Sequence, residues 1–173
     1  MPITALAVQV PEAEPLVASL RERYDPTVRL GVPAHITLLV PFMAPALVTP
    51  QVQGRIEEAL KLVQPFDFEL ARVGRFPGVA YLAPQPAAPF IALTESLVRS
   101  FPAYPPYEGQ FSTVIPHLTV AHGEESDAVR AAAELEARLD VHGPLRCHCK
   151  AVVLLENSTG LWTQLRRFEL AHG

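Results

Sequence analysis

Fixed positive charge is scarce in this sequence. Only Lys61 and Lys150 are lysines, and 14 basic residues face 18 acidic ones, for a formal net charge of −4 and a pI near 5.8. A chain that grips long nucleic acid through many phosphates carries the opposite balance. A nucleotide ligand is therefore expected to be small, or held by one end. Long hydrophobic runs are missing too, so no segment is expected to span a bilayer. The opening MPITALAVQVPEAEP has a short apolar run without a basic leader and does not read as a signal peptide. The only cysteines, Cys147 and Cys149, sit two residues apart, a spacing not expected to bridge in an extended chain. A soluble protein in a reducing cytoplasm is the expectation. The sequence has no phosphate-cradling glycine loop, no Gly-x-Ser-x-Gly elbow and no His-Glu-x-x-His helix.

What is present is patterning. Hydrophobic residues make up 49% of the chain, enough for a packed core. ITALAVQV has strand character. A helix is expected next, with Pro15 in its first turn and Val17, Leu20 and Tyr24 on one face. DPTVRLGVP connects to the strand HITLLV. Thr49 can cap, and Pro50 open, a helix running to about Gln64. FDFELARVG alternates as a half-buried strand, RFPG turns, and VAYLAP returns. The second half reads as the helix AAPFIALTESLVRSF, the loop PAYPPYEGQFS and the strand TVIPHLTVAH. The helix EESDAVRAAAELEARLD, one long strand LRCHCKAVVLLEN, the turn STG and the strand LWTQLRRFEL follow.

The two halves repeat. A helix, a strand, a turn and a strand follow His35, and the same elements follow His117. The next strand begins 31 residues on in the first case and 28 in the second. A single domain over 1–173, with pseudo-repeats around 30–84 and 112–171, is expected.

Each repeat carries a His-x-Thr: His35 with Thr37, and His117 with Thr119. Residues at i and i+2 on a strand share a face, so each motif sets an imidazole beside a hydroxyl. Duplication would bring both pairs to one groove. Cleaving a phosphodiester needs a base for the attacking water and an acid for the leaving alkoxide. Histidine serves both near neutral pH, each role contributing roughly 10²–10⁴-fold. Threonine hydroxyls can donate to the non-bridging phosphate oxygens where charge builds. This chemistry needs no metal and no cofactor.

HITL and HLTV, in the contexts GVPAHITLLVPF, VAYLAP, YPPYEG and IPHLTVAHG, resemble the paired motifs of the 2H phosphoesterase superfamily, in particular its bacterial 2′-5′ RNA ligase-like (LigT-like) branch. The resemblance covers most of the chain and is weakest in the first helix and in LRCHCK. It implies a bilobal α+β fold, with two antiparallel sheets flanking a central groove and helices outside. It implies activity on 2′,3′-cyclic phosphates or 2′-5′ linkages in RNA, with His35 and His117 as acid and base and Thr37 and Thr119 as phosphate donors. One position departs. LigT-like proteins often carry Arg shortly after the second motif, where this chain has His122, a weaker and pH-dependent phosphate ligand. Strict alternation would turn His122 away from His117; a bulge would return it.

Three functional readings differ in kind. The first is the hydrolase. The second is a reversible 2′-5′ RNA ligase, which needs a groove for two RNA ends. The third is a non-catalytic module that binds a nucleotide or RNA end. The expected partner is a nucleotide or RNA terminus bearing a cyclic phosphate, met by a monomer away from membranes. Phe42, Phe76 and Tyr107 are candidate base-stacking platforms, with Tyr81 and Phe111 nearby. Arg75 could assist at the phosphate. Cys147-His148-Cys149 lacks the second ligand pair of a structural zinc site, so buried strand cysteines are expected there. His142 and His172 are expected on the surface.

Overall fold

The structure is a computed structural model that describes residues 1–110 and 113–170; Phe111 and His172 therefore lie outside the described residues. In chain order the elements are β1 (Thr4–Gln9), α1 (Glu14–Tyr24), β2 (His35–Leu39), α2 (Pro50–Leu60), β3 (Phe66–Phe76) and β4 (Val79–Gln85). They continue as α3 (Ala88–Ser100), β5 (Leu118–His122), α4 (Glu125–His142), β6 (Leu145–Cys149), β7 (Ala151–Glu156) and β8 (Thr163–Glu169).

The strands form two four-stranded antiparallel sheets, ordered β2-β1-β7-β8 and β5-β4-β3-β6. Motif strands β2 and β5 are edge strands in their respective sheets, and they run within 8 Å of each other. Helix α3 packs on β2, while α1 and α4 pack on the strands of the other sheet. The main core lies between sheets and helices, filled by Leu6, Leu20, Ile36, Leu82, Leu93 and Leu118, all fully buried. This is the expected α+β architecture.

Local chemistry explains the boundaries. The Thr49 side chain accepts from the Val52 amide at 3.2 Å and caps α2. That helix stops at Leu60, four residues short of the expected Gln64. The β3–β4 turn is tighter than RFPG suggests, because Phe76 and Val79 are register partners and only Pro77 and Gly78 turn the chain. Gly78 has φ +72°, and a Cβ there would come 2.4 Å from the Gly123 carbonyl oxygen. That contact pins the hairpin tip against the end of β5.

The strand expected over LRCHCKAVVLLEN is two strands. β6 closes the edge of one sheet and β7 lies inside the other, with Lys150 the single residue between them. The pattern changes at the break: LRCHC alternates, with Arg146 and His148 exposed, whereas AVVLLE is buried throughout, as befits an edge strand and an interior strand. Regular structure in TVIPHLTVAH begins only at Leu118, leaving His117 just ahead of the strand.

Candidate active site

Both motifs are built the same way. In β2, Thr37 pairs with Ala7 and Leu39 with Leu6, leaving Leu38 as an extra residue. In β5, Thr119 pairs with Tyr81 and Ala121 with Ala80, leaving Val120 extra. Each strand thus bulges directly after its threonine. A bulge lets two consecutive residues sink into the core, and Leu38–Leu39 and Val120–Ala121 do so, each at most 1% exposed. On β5 the extra residue also resets the alternation. His122 therefore returns to the side of His117 and Thr119, as the bulge alternative required.

His35, Thr37, His117, Thr119 and His122 all line one cavity of about 560 Å³. The imidazoles are held alike. His35 Nδ1 lies 2.9 Å from the Pro33 carbonyl oxygen, and His117 Nδ1 lies 2.6 Å from that of Ile115. A carbonyl only accepts, so each Nδ1 carries the proton and donates. In the neutral ring the lone pair is then on Nε2, the atom left to meet a ligand. Burial lowers the pKa of both histidines below the ordinary imidazole value, opposed in each by its backbone hydrogen bond. For His35, the nearby Arg21 and His117 add smaller lowering contributions, and Asp25 opposes them.

The supports behind the two rings differ. Behind His35 lies a buried network that sequence reasoning missed. Arg21 bonds Asp25 at 3.1 Å, both side chains at most 3% exposed, and donates to the Val32 carbonyl at 2.8 Å. Asp25 accepts from the amide and hydroxyl of Thr27 at 3.0 and 2.8 Å. Glu14 accepts from the Ala34 amide at 2.6 Å. These bonds hold the loop that delivers His35, and they bring Asp25 and Thr27 into the cavity wall. The available signal was Asp25-Pro26-Thr27, the spacing of an Asx turn.

His117 instead leans on aromatics. Phe76 and Tyr81 stack with centroids 4.5 Å apart, and both meet the His117 ring edge-on, at 5.2 and 5.4 Å. Phe76 and Tyr107 line the cavity. The Tyr107 amide donates to the Val40 carbonyl at 2.7 Å, and burial raises the pKa of its phenol. Phe42 does not reach the cavity. It is 3% exposed and packs edge-on against Phe101 and Tyr104 at 5.1 and 5.3 Å, because the chain leaving the bulge turns it inward. Arg75 is also diverted: it bonds Glu125 at 2.7 Å and the Val79 carbonyl at 2.9 Å, tying the hairpin to α4.

Cys147 and Cys149 are buried free thiols, with burial pushing the pKa of each up to about 12. His148 points the other way and meets Asp67 at 2.7 Å. Among the described residues, no three His, Cys, Asp or Glu side chains are grouped to hold a metal ion. His142 is exposed.

The family model of the 2′-5′ RNA ligase superfamily matches residues 9–161. The chain belongs to the 2′-5′ RNA ligase superfamily, the 2H phosphoesterases. A protein of Halalkalibacterium halodurans, provisionally named a phosphoesterase, is 30% identical over 156 residues, covering 90% of this chain and 89% of its own length. A Bacillus pumilus protein with the same provisional name is 30% identical over 160 residues, covering 88% and 87%. Among solved structures, TT0787 of Thermus thermophilus aligns with a TM-score of 0.64 at 22% identity over 97% of each chain. Escherichia coli LigT complexed with 3′-AMP aligns at 0.62 and 18% identity over 99% of this chain and all of its own. At these identities the two structures establish the shared fold. No described helix of this superfamily member is long and apolar enough to cross a membrane.

Proposed function

We propose that the protein is a metal-independent hydrolase of 2′,3′-cyclic phosphates, on a nucleotide or an RNA end, working by paired-histidine acid–base catalysis. The observation that carries this reading is the repeated geometry. Two His-x-Thr pairs, each ring with Nδ1 tied to the carbonyl two residues back, open on one cavity. One neutral histidine takes a proton from water at Nε2 as the water oxygen bonds to phosphorus. The other, protonated, gives its Nε2 proton to the ribose oxygen as the P–O bond breaks. The product is a phosphate monoester, and the two rings end with their protonation states exchanged. Thr37 and Thr119 donate to the non-bridging oxygens, whose charge grows in the transition state. Phe76 and Tyr107 offer the base an apolar wall. His122 meets the phosphate from the far side of Thr119.

Residues 1–173 act in this reading as one domain with pseudo-repeats around 30–84 and 112–171. The matched bulges after Thr37 and Thr119 support it. The free cysteines fit a reducing cytoplasm.

The test is incubation of the pure protein with the four nucleoside 2′,3′-cyclic phosphates in the presence of EDTA. Turnover should persist in EDTA and fall at least ~10²-fold in His35→Ala and in His117→Ala. Unchanged rates in both variants would refute the mechanism.

A further inference from the structure

We infer, resting on the paired-histidine reading, that the substrate is a small, singly charged phosphodiester of mononucleotide size, and that the cleft disfavours a polyanionic RNA strand. Three histidines and the two motif threonines line the cavity, yet no described lining residue is Lys or Arg. Residues 111–112 and 171–173, outside the described set, contain none either. The guanidinium behind His35, Arg21, is matched by buried Asp25. Arg75 at the hairpin bonds Glu125. Arg72 shares a strand face with Phe76 but lies outside the lining.

The surroundings add negative charge. A second cavity of about 290 Å³ adjoins the cleft, sharing Asp25 and His122 with it. A strand leaving the cleft on this side would run through it. Its walls set Glu22, Glu124 and Asp127 against Arg23 and Arg29; Asp25 is already matched by Arg21, Asp127 lies 3.2 Å from Arg130, and Arg23 lies 3.7 Å from Glu134.

The cost of desolvating an ion rises with the square of its charge, and fixed cations normally offset it for phosphates. Here the threonine hydroxyls and the one protonated imidazole of the catalytic pair must hold the ligand by hydrogen bonds, with no permanent cation among the described lining residues. That suffices for a monoanionic cyclic diester. It serves poorly for further phosphates along a strand, or for the dianionic monoester product. One imidazolium is present before and after turnover, so the second charge of the monoester product meets no further cation.

The experiment compares kcat/KM for adenosine 2′,3′-cyclic phosphate and for a pentaadenylate ending in the same group, at low and high KCl. The mononucleotide should be favoured about tenfold or more at low salt, with the gap closing as salt screens the repulsion. Glu124→Gln combined with Asp127→Asn should narrow the gap at low salt. A pentanucleotide used equally well or better, with a rate that falls as salt rises in the manner of a phosphate-gripping site, overturns the inference. If neither compound is hydrolysed, the paired-histidine reading fails separately. NMR titration of the histidine ring signals with the same two ligands then decides the charge argument. Weaker binding of the pentanucleotide at low salt upholds it. Equal or tighter binding of the pentanucleotide, or binding of neither, overturns it.

Discussion

The ring of Tyr81 occupies the space that a side chain on Gly74 would need. A Cβ at Gly74 would come 2.3 Å from the Tyr81 Cζ carbon. The two are register partners on β3 and β4, and the absent side chain lets the phenol lie flat on the sheet, stacked on Phe76 and touching His117. Gly74→Ala is expected to push the ring off its seat and misplace the imidazole. A displacement on the order of 1 Å near reacting groups can cost roughly 10²-fold in rate. We expect kcat to fall on that scale with little change in melting temperature. Tyr81→Ala in the same chain should restore part of it. Steady-state kinetics of the single and double variants check this.

Arg21 and Asp25 form an ion pair with both side chains at most 3% exposed. Removing one partner of a buried pair leaves the other charge uncompensated, a loss of about 3–5 kcal/mol. Arg21→Met should lower the urea midpoint accordingly, and adding Asp25→Leu should recover much of it. Arg21 lowers the pKa of His35 and Asp25 raises it. In Arg21→Met the raising influence stands alone, so the pH–rate limb belonging to His35 should move to higher pH. A purely structural role would leave that limb in place.

Burial lowers the pKa of His35 and His117 in the folded protein, against about 6.5 in the unfolded chain. Between the lowered and unperturbed values the unfolded chain binds more protons, so stability rises with pH there. The contribution is complete above the unfolded value and is lost as pH falls through the folded ones. Urea midpoints measured from pH 5 to 8 should rise, and His35→Gln with His117→Gln should flatten the rise. An unchanged slope in the double variant would assign the pH dependence to other groups.

Phe42 is a core residue, packed edge-on against Phe101 and Tyr104. Truncating a buried phenylalanine costs about 3–5 kcal/mol. Phe42→Ala should lose stability on that scale by denaturant titration while keeping KM for a cyclic nucleotide, measured where the protein stays folded. Phe76→Ala should do the reverse, raising KM with a smaller loss of stability.

Thr37 and Thr119 have the same strand setting, so their hydroxyls should act as a pair. Thr37→Val and Thr119→Val keep the shape and remove the donor. Each is expected to lower kcat by about 10²-fold, the scale seen on removing a transition-state hydrogen-bond donor, with KM nearly unchanged. Single-turnover and steady-state rates separate the two parameters.

The motif residues and the class of chemistry were legible in the sequence, because two copies of a short pattern stand at matching places and a strand's two-residue period puts His and Thr on one face. The α+β class followed from the same periodicities. Residues joined only through space were not legible. The exchange between sheets at Lys150 shows in the sequence only as a change from the alternation of LRCHC to the continuous apolar AVVLL, which does not say that the two strands join different sheets. Phe42 and Phe76 look equally suited to stacking, and only packing sends one to the core and the other to the cleft. Sequence alone marked His35, His117, Thr37 and Thr119 as the side chains to which the proposed chemistry assigns its acid–base and phosphate roles. Tertiary structure decided the return of His122, since the bulge at Val120 depends on the neighbouring strand. It also decided that no described residue lining the cleft is Lys or Arg, because charges gather or cancel by proximity, which linear order does not specify.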